Sequence, residues 1–199
     1  MRNTAQFLAC LFVGVLVACS PDGKTSTVRE EPVTQVATTP APEDQLAIFT
    51  ANLDERPTLL RGGASSLNAL AERFVRGVQE RDTAGIRSIH VSKAEFAYLV
   101  YPTHPQALPP YSLPPEVVWM MTESSSAKAL DKIVAMGIRQ GASIQSVVCE
   151  GVTSQGKNRV HSGCVAIAQE SSRGEEIRIP LGPIIERDGR FKFASFAAG

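Results

Sequence analysis

The chain has 199 residues, with 20 basic and 20 acidic side chains, so its formal net charge at pH 7 is zero. Nucleic-acid-binding proteins usually carry a basic stripe, and no long basic run is present here, so we expect no nucleic-acid partner. The length suits one domain preceded by a leader and a linker.

The first 18 residues have the layout of a secretory signal peptide. Arg2 lies in a short polar start, and residues 7–18 are almost wholly apolar. This run is shorter than the roughly 20 residues that a membrane-spanning helix needs. It ends in Leu16-Val17-Ala18-Cys19, which resembles the lipobox of bacterial lipoproteins. The resemblance implies that the signal is removed before Cys19 and that Cys19 is acylated, palmitate included. The alternative is an ordinary cleavage site that happens to contain a cysteine.

Residues 19–42 are rich in Thr and Pro and poor in large apolar side chains. Such a segment cannot bury enough apolar surface to order itself, so it is predicted to be a disordered tether between the lipid and a domain at 43–199. Acyl chains on Cys19 make the lipid bilayer a partner. By resemblance to lipoproteins, Ser20 after the cysteine implies the bacterial outer membrane, with the domain facing the periplasm.

The first half of the domain is predicted to be helical. Its clearest helix covers residues 67–81, because apolar residues recur at helical spacing from Leu67 to Val78. Further helices are predicted over residues near 44–52, 82–89 and 116–137. The run Ser124-Ser125-Ser126 leaves open whether the last of these is one kinked helix or two.

Ser92 and Glu95 have the spacing of a capping box, in which each side chain satisfies a free backbone N–H group. This pattern predicts a helix that begins at Lys93. Pro102 is predicted to end it, since the residue before a proline disfavours helical backbone.

Residues 102–115 hold six prolines and are predicted to form a loop with extended, polyproline-like backbone. All the tyrosines and the one tryptophan lie within or beside this loop, together with a histidine. Rings with a polar edge suit contact with a sugar or a peptide. They form a candidate binding surface, although the same rings could instead pack on the prolines and fix the loop. Its residues are Tyr98, Tyr101, His104, Tyr111 and Trp119.

After Gly141 the apolar pattern changes from helical to alternating. Strands are predicted over residues 142–152, 159–169, 176–181 and 190–196, with turns at 155–158, 172–174 and Asp188-Gly189. Four consecutive strands with short turns predict one curved antiparallel sheet, covered on one face by the preceding helices. The predicted fold class is therefore α+β.

Cys149 and Cys164 remain once the signal is removed and Cys19 is acylated. An even pair in an oxidising compartment favours a disulfide. The two residues are equally far from the centre of a turn at Gly156-Lys157, so a hairpin would place them directly opposite each other. We expect a four-residue loop, 155–158, which would make them a closely approaching, non-hydrogen-bonded pair.

The amphipathic helix 67–81, its short follower 82–89 and the closing strands from Ala142 resemble the NTF2-like fold, in which helices pack on a bent sheet around a pocket. Enzymes of that fold often place an Asp, His or Tyr in the pocket, but no motif here carries such a residue over. No catalytic residue set, metal-binding spacing or cofactor motif is found; His90, His104 and His161 each lack a second ligand at metal-binding spacing. The sequence therefore predicts a non-catalytic envelope lipoprotein that binds a protein, peptide or glycan. The alternatives are a pocket enzyme with acid–base chemistry and a structural envelope component.

Overall fold

The computed structural model describes residues 41–138, 141–170 and 174–197. The predicted signal peptide, Cys19 and the predicted tether except for its last two residues lie outside these ranges. Within them, no helix is both long and apolar enough to cross a membrane.

The described chain is α+β, with helices first and strands afterwards, as predicted. The helix predicted near residue 44 begins two residues earlier, and the helix with the serine run is a single one. The helices are α1 (Pro42–Thr50), α2 (Leu67–Glu80), α3 (Thr83–Ser88), α4 (Lys93–Glu95, continued by a π-helical turn at Phe96–Val100) and α5 (Pro115–Met136).

Side-chain caps set the starts of three helices. The Ser66 side chain accepts a hydrogen bond from the Ala69 N–H group, and Asp82 accepts one from Gly85. The predicted capping box is confirmed, because Ser92 Oγ accepts from the Glu95 N–H while Glu95 Oε2 accepts from the Ser92 N–H. Each bond satisfies a donor that the first helical turn would otherwise leave free.

The described strands form two antiparallel sheets, so the prediction of one four-stranded sheet is wrong. One sheet has the order β1-β4-β5 and the other β2-β3-β6-β7. The strands are β1 (Ala142–Val148), β2 (Gly151–Gln155), β3 (Asn158–Ser162), β4 (Val165–Glu170), β5 (Glu176–Pro180), β6 (Ile184–Arg187) and β7 (Arg190–Phe193).

The first two predicted strands each contribute to both sheets. They form one long hairpin that breaks between β1 and β2 on one side and between β3 and β4 on the other. Beyond the break, β4 pairs with β5, whereas β3 pairs with β6. Gly163 lies at the break with φ at +60°, a backbone conformation that glycine adopts without strain.

The disulfide between Cys149 and Cys164 joins the two sides of the hairpin at this break, with the Cα atoms 3.9 Å apart. The predicted pairing is confirmed, but the predicted four-residue loop is wrong. Gln155 pairs with Asn158, so the loop is the two residues Gly156-Lys157. Gly156 has φ at +61°, which suits the first position of a type II′ turn.

Strand β6 was not predicted from the sequence. Ile184 packs in one apolar core and Ile185 in the other, so both faces of this strand are covered. A strand buried on both faces carries consecutive apolar residues and shows no alternation. The first core lies between α2, α3 and the strands; the second joins α1, the 93–101 helical segment and the start of α5.

The proline-rich segment differs from the extended loop that was predicted. It contains two short 3₁₀ turns, Tyr101–Thr103 and Pro105–Ala107. Each turn has a proline among its first two residues, where the fixed φ of proline suits helical backbone. Thr103 Oγ1 donates to the Gln155 carbonyl, which attaches this segment to the β2–β3 turn.

Candidate functional site

A cavity of about 270 Å³ lies where the segment that joins α3 to α4 faces α5. His90 and Val91 line it from the connecting segment, Ser126 and Leu130 line it from α5, and Phe196 lines it from the C-terminal segment. The cavity therefore combines apolar walls with polar side chains, of which His90 and Ser126 lie deepest in the fold.

His90 and Ser126 lie in this cavity in direct contact, with 3.2 Å between His90 Nε2 and Ser126 Oγ. Their residues are 8% and 4% exposed, which makes them nearly buried although both line the cavity. Ser126 Oγ also accepts a hydrogen bond of 3.1 Å from the Phe196 N–H group. This last bond ties the C-terminal segment to α5.

Burial lowers the pKa of His90 below its ordinary value, because desolvation disfavours the imidazolium form. The negative charge of Glu123 acts in the opposite direction, and Lys192 lowers the pKa further. Interactions with the backbone at Val91 and Ala194 also favour the charged form, but burial has the largest effect. His90 is therefore neutral at pH 7, the form that can accept a proton.

Charged residues of both signs border the cavity. Arg87 is exposed on α3, while Glu123 and Asp131 are exposed on α5. Lys93 also lines the cavity, and its Nζ lies 4.4 Å from the centre of the Phe49 ring, a cation–π distance. A ligand at this rim would meet positive charge from α3 and α4 and negative charge from α5.

A second cavity of about 130 Å³ shares Val91 and Trp119 with the first. Phe96, Val160 and Ile185 give it apolar walls, and it has polar walls as well, from His104 and Thr122. Burial lowers the pKa of His104 below its ordinary value, so this side chain is also neutral at pH 7.

The structure separates the five residues of the predicted aromatic surface. Tyr101 is buried against Phe96, and its hydroxyl group donates to the Leu113 carbonyl. Tyr98 packs against the second core beneath the Arg56 guanidinium, whereas Tyr111 is 65% exposed. The remaining two, Trp119 and His104, come together in the smaller cavity, and Trp119 also lines the larger one.

Sequence reasoning did not find the His90–Ser126 contact. The two residues are 36 positions apart, and His90 lies between helices while Ser126 lies inside α5. In the sequence, the serine run indicates only an interruption of an apolar pattern. No short motif links such residues, since long-range packing alone brings them together.

Within the described ranges, no group of three or more His, Cys, Asp or Glu side chains is placed to hold a metal ion. The chain matches no protein-family model, no curated protein and no solved structure.

Proposed function

We propose that this protein is a lipid-anchored component of the bacterial envelope whose α+β domain binds a small ligand beside Trp119. The observation that carries the proposal is that Trp119 forms a wall of both cavities. An aromatic wall next to a few converging polar groups is the usual composition of a ligand site.

The cavity sizes favour a small ligand over a peptide or a protein domain. Their volumes of about 270 and 130 Å³ are below the roughly 300–1,000 Å³ of sites for drug-sized molecules. Trp119 is half-buried and packs against Phe96, with ring centres 5.3 Å apart, so its position is held before a ligand arrives. A fixed wall lowers the entropic cost of binding.

The lipobox-like end of the signal peptide supports the proposed location at the outer membrane. Acylation of Cys19 would hold the protein at the outer membrane, and the Thr- and Pro-rich segment would let the domain reach roughly 25–30 Å into the periplasm. The NTF2-like arrangement is part of the same proposal. It is supported by α2 packing on β1 and β7, by α3 packing against α2, and by a cavity beside the helical layer.

Trp119 is the only tryptophan in the chain, so its fluorescence reports directly on this site. We expect small ligands of the envelope, screened as pure compounds, to change its emission in a saturable way in full-length protein. Thr122→Phe, which narrows the smaller cavity, and Leu130→Phe, which narrows the larger one, should weaken binding without adding a second tryptophan. Tyr111→Ala serves as the matched control, because Tyr111 lines neither cavity. Binding that is lost in Tyr111→Ala but kept in both cavity variants would contradict the proposed site.

A second candidate function, a pocket enzyme with acid–base chemistry, is favoured by one observation. His90 is a nearly buried, neutral base that lines the larger cavity. Titratable groups with shifted pKa values inside cavities are candidates for catalytic residues.

A further inference from the structure

We propose that Ser126 and His90 form a nucleophile–base pair that hydrolyses small carboxylic esters in the 270 Å³ cavity. This activity goes beyond ligand binding, and it rests on the proposed function only in requiring that small molecules enter the cavity.

The geometry meets the first requirement for such a pair. The distance of 3.2 Å between Ser126 Oγ and His90 Nε2 is within the range for a hydroxyl nucleophile and its base. Both residues lie on positions that packing holds firmly. Ser126 is inside α5, and His90 is paired with Phe193 in a β-bridge.

The environment of the ring meets the second requirement, a base that is free to accept a proton. Burial lowers the pKa of His90, so the ring is neutral at pH 7, and packing against the Phe196 ring at 5.2 Å between centres helps to hold its position. The Phe196 N–H bond to Ser126 Oγ stabilises negative charge on that oxygen as its proton leaves. The charged groups around the ring are Glu123 on α5 and Lys192 on β7, with Arg87, Lys93 and Asp131 at the rim.

The reaction balances with water as the second substrate. Ser126 Oγ attacks the ester carbonyl carbon while its proton moves to His90 Nε2, and the collapsing intermediate releases the alcohol, which takes that proton. Water then attacks the acyl-serine carbonyl carbon and gives a proton to His90. The carboxylic acid leaves when the serine oxygen regains a proton from His90.

The cavity walls indicate the kind of ester. Leu130, Phe196 and Trp119 offer apolar surface for an acyl chain, and the cavity volume limits that chain to a short one. Arg87 and Lys93 bring positive charge to the cavity and Glu123 and Asp131 bring negative charge, so the rim does not select for a charged acyl group.

The direct test labels full-length, detergent-solubilised protein with a fluorophosphonate probe, and identifies the modified peptide by mass spectrometry. We expect a phosphonyl adduct on Ser126, which needs no variant and so does not depend on a substitution being tolerated. An adduct elsewhere, or none, would overturn the proposal.

Hydrolysis of p-nitrophenyl acetate supplies the second readout. Ser126→Ala should abolish the rate above background, and His90→Gln should lower it about 100-fold or more. Ser124→Ala is the matched control, because Ser124 is exposed on the same helix. The wild-type rate should fall as pH drops through the lowered pKa of His90. A rate unchanged in Ser126→Ala disproves the nucleophile, even if the Trp119 fluorescence titration still shows that ligands bind.

Discussion

At the residue scale, Glu95 joins three separate parts of the chain. Its side chain closes the capping box with Ser92, accepts a hydrogen bond from the Arg61 N–H group at 2.6 Å, and pairs with Lys192 Nζ at 2.8 Å. Glu95 and Lys192 are both buried. A buried carboxylate is tolerated only when it is paired and hydrogen-bonded. Glu95 therefore caps its own helix and also connects it to distant parts of the chain.

The cap itself can be tested by Ser92→Ala. This change removes the Ser92 Oγ acceptor and leaves the Glu95 N–H group without that partner, so we expect a loss of about 1 kcal/mol in unfolding free energy. Urea denaturation of full-length protein measures it. Ser124→Ala, a serine exposed within α5, should change stability by less than about 0.5 kcal/mol. Equal stability of the two variants would contradict the capping role.

His90 should make stability depend on pH. Its pKa is lowered in the folded protein, so on acidification the unfolded chain takes up a proton near the ordinary value of 6.5 before the folded chain does. Stability therefore falls as pH drops below about 6.5 and stops falling from this cause below the folded pKa. His104 contributes with the same sign, because its pKa is lowered as well.

Replacing His90 with Gln removes this difference in proton uptake and should flatten the curve of stability against pH below the ordinary histidine pKa of about 6.5. Chemical denaturation at several pH values measures the curve, with His104→Gln as a comparison for the second site. A His90→Gln curve as steep as that of the wild type would show that His90 titrates alike in both states.

At the scale of elements, the long hairpin and its disulfide connect the two sheets. The break between β1 and β2 lets the same hairpin pair with β5 on one side and with β6 on the other. The disulfide lies at that break, between the two regularly paired stretches of the hairpin. It therefore holds the register at the point where regular pairing no longer does.

Loss of the disulfide should lower the unfolding free energy by roughly 3 kcal/mol, because the cross-link spans 15 positions and restricts the unfolded chain. Thermal and urea unfolding with and without reductant measure this loss in the wild type. The double variant Cys149→Ala with Cys164→Ala should be equally destabilised and insensitive to reductant. If mass analysis shows two free thiols after reduction and the unfolding free energy of the wild type is unchanged, the disulfide does not stabilise the fold.

The proline-rich segment carries two tyrosines whose replacement should change the stability of the fold by very different amounts. Tyr101→Ala should lower the unfolding free energy by about 3–5 kcal/mol, because it leaves a cavity in the core and removes the hydrogen-bond donor to the Leu113 carbonyl. Tyr111→Ala should stay within about 0.5 kcal/mol, since the side chain is largely exposed. Urea unfolding compares them. Equal costs would contradict the buried position of Tyr101.

At the scale of the whole molecule, the proposed lipid anchor would bring the cavity close to the membrane. A domain tethered in this way would meet small molecules released or modified there. The two apolar cores on opposite faces of β6 give the cavity a firm base, because Val91 and Phe196, which line it, each belong to one of them.

If Cys19 carries the lipid anchor, Cys19→Ala should abolish acylation and move the protein from the membrane fraction to the soluble fraction. The lipid-modified cysteine at the mature start would be the main attachment, since acyl chains supply the apolar area that holds such proteins. Cell fractionation with metabolic palmitate labelling measures both effects. Ser20→Ala is the control and should leave attachment unchanged. A Cys19→Ala protein that remains membrane-bound would refute the anchor.

The sequence by itself determined the features that depend on neighbouring residues. The cap at Ser92, the apolar stripe of α2 and the pairing of Cys149 with Cys164 follow from spacings of a few residues or from the position of one turn. Helical and hairpin hydrogen bonds are local, so their signals are written in short stretches of chain.

Only the tertiary structure decided the rest. The division of one hairpin between two sheets, the burial of β6 on both faces and the contact of His90 with Ser126 all depend on residues far apart in the chain. Alternation disappears when both faces of a strand are covered, and no motif encodes a contact made by packing. The contact of His90 with Ser126 therefore depends on how the helices pack on the sheets, and no single segment of the sequence predicts it.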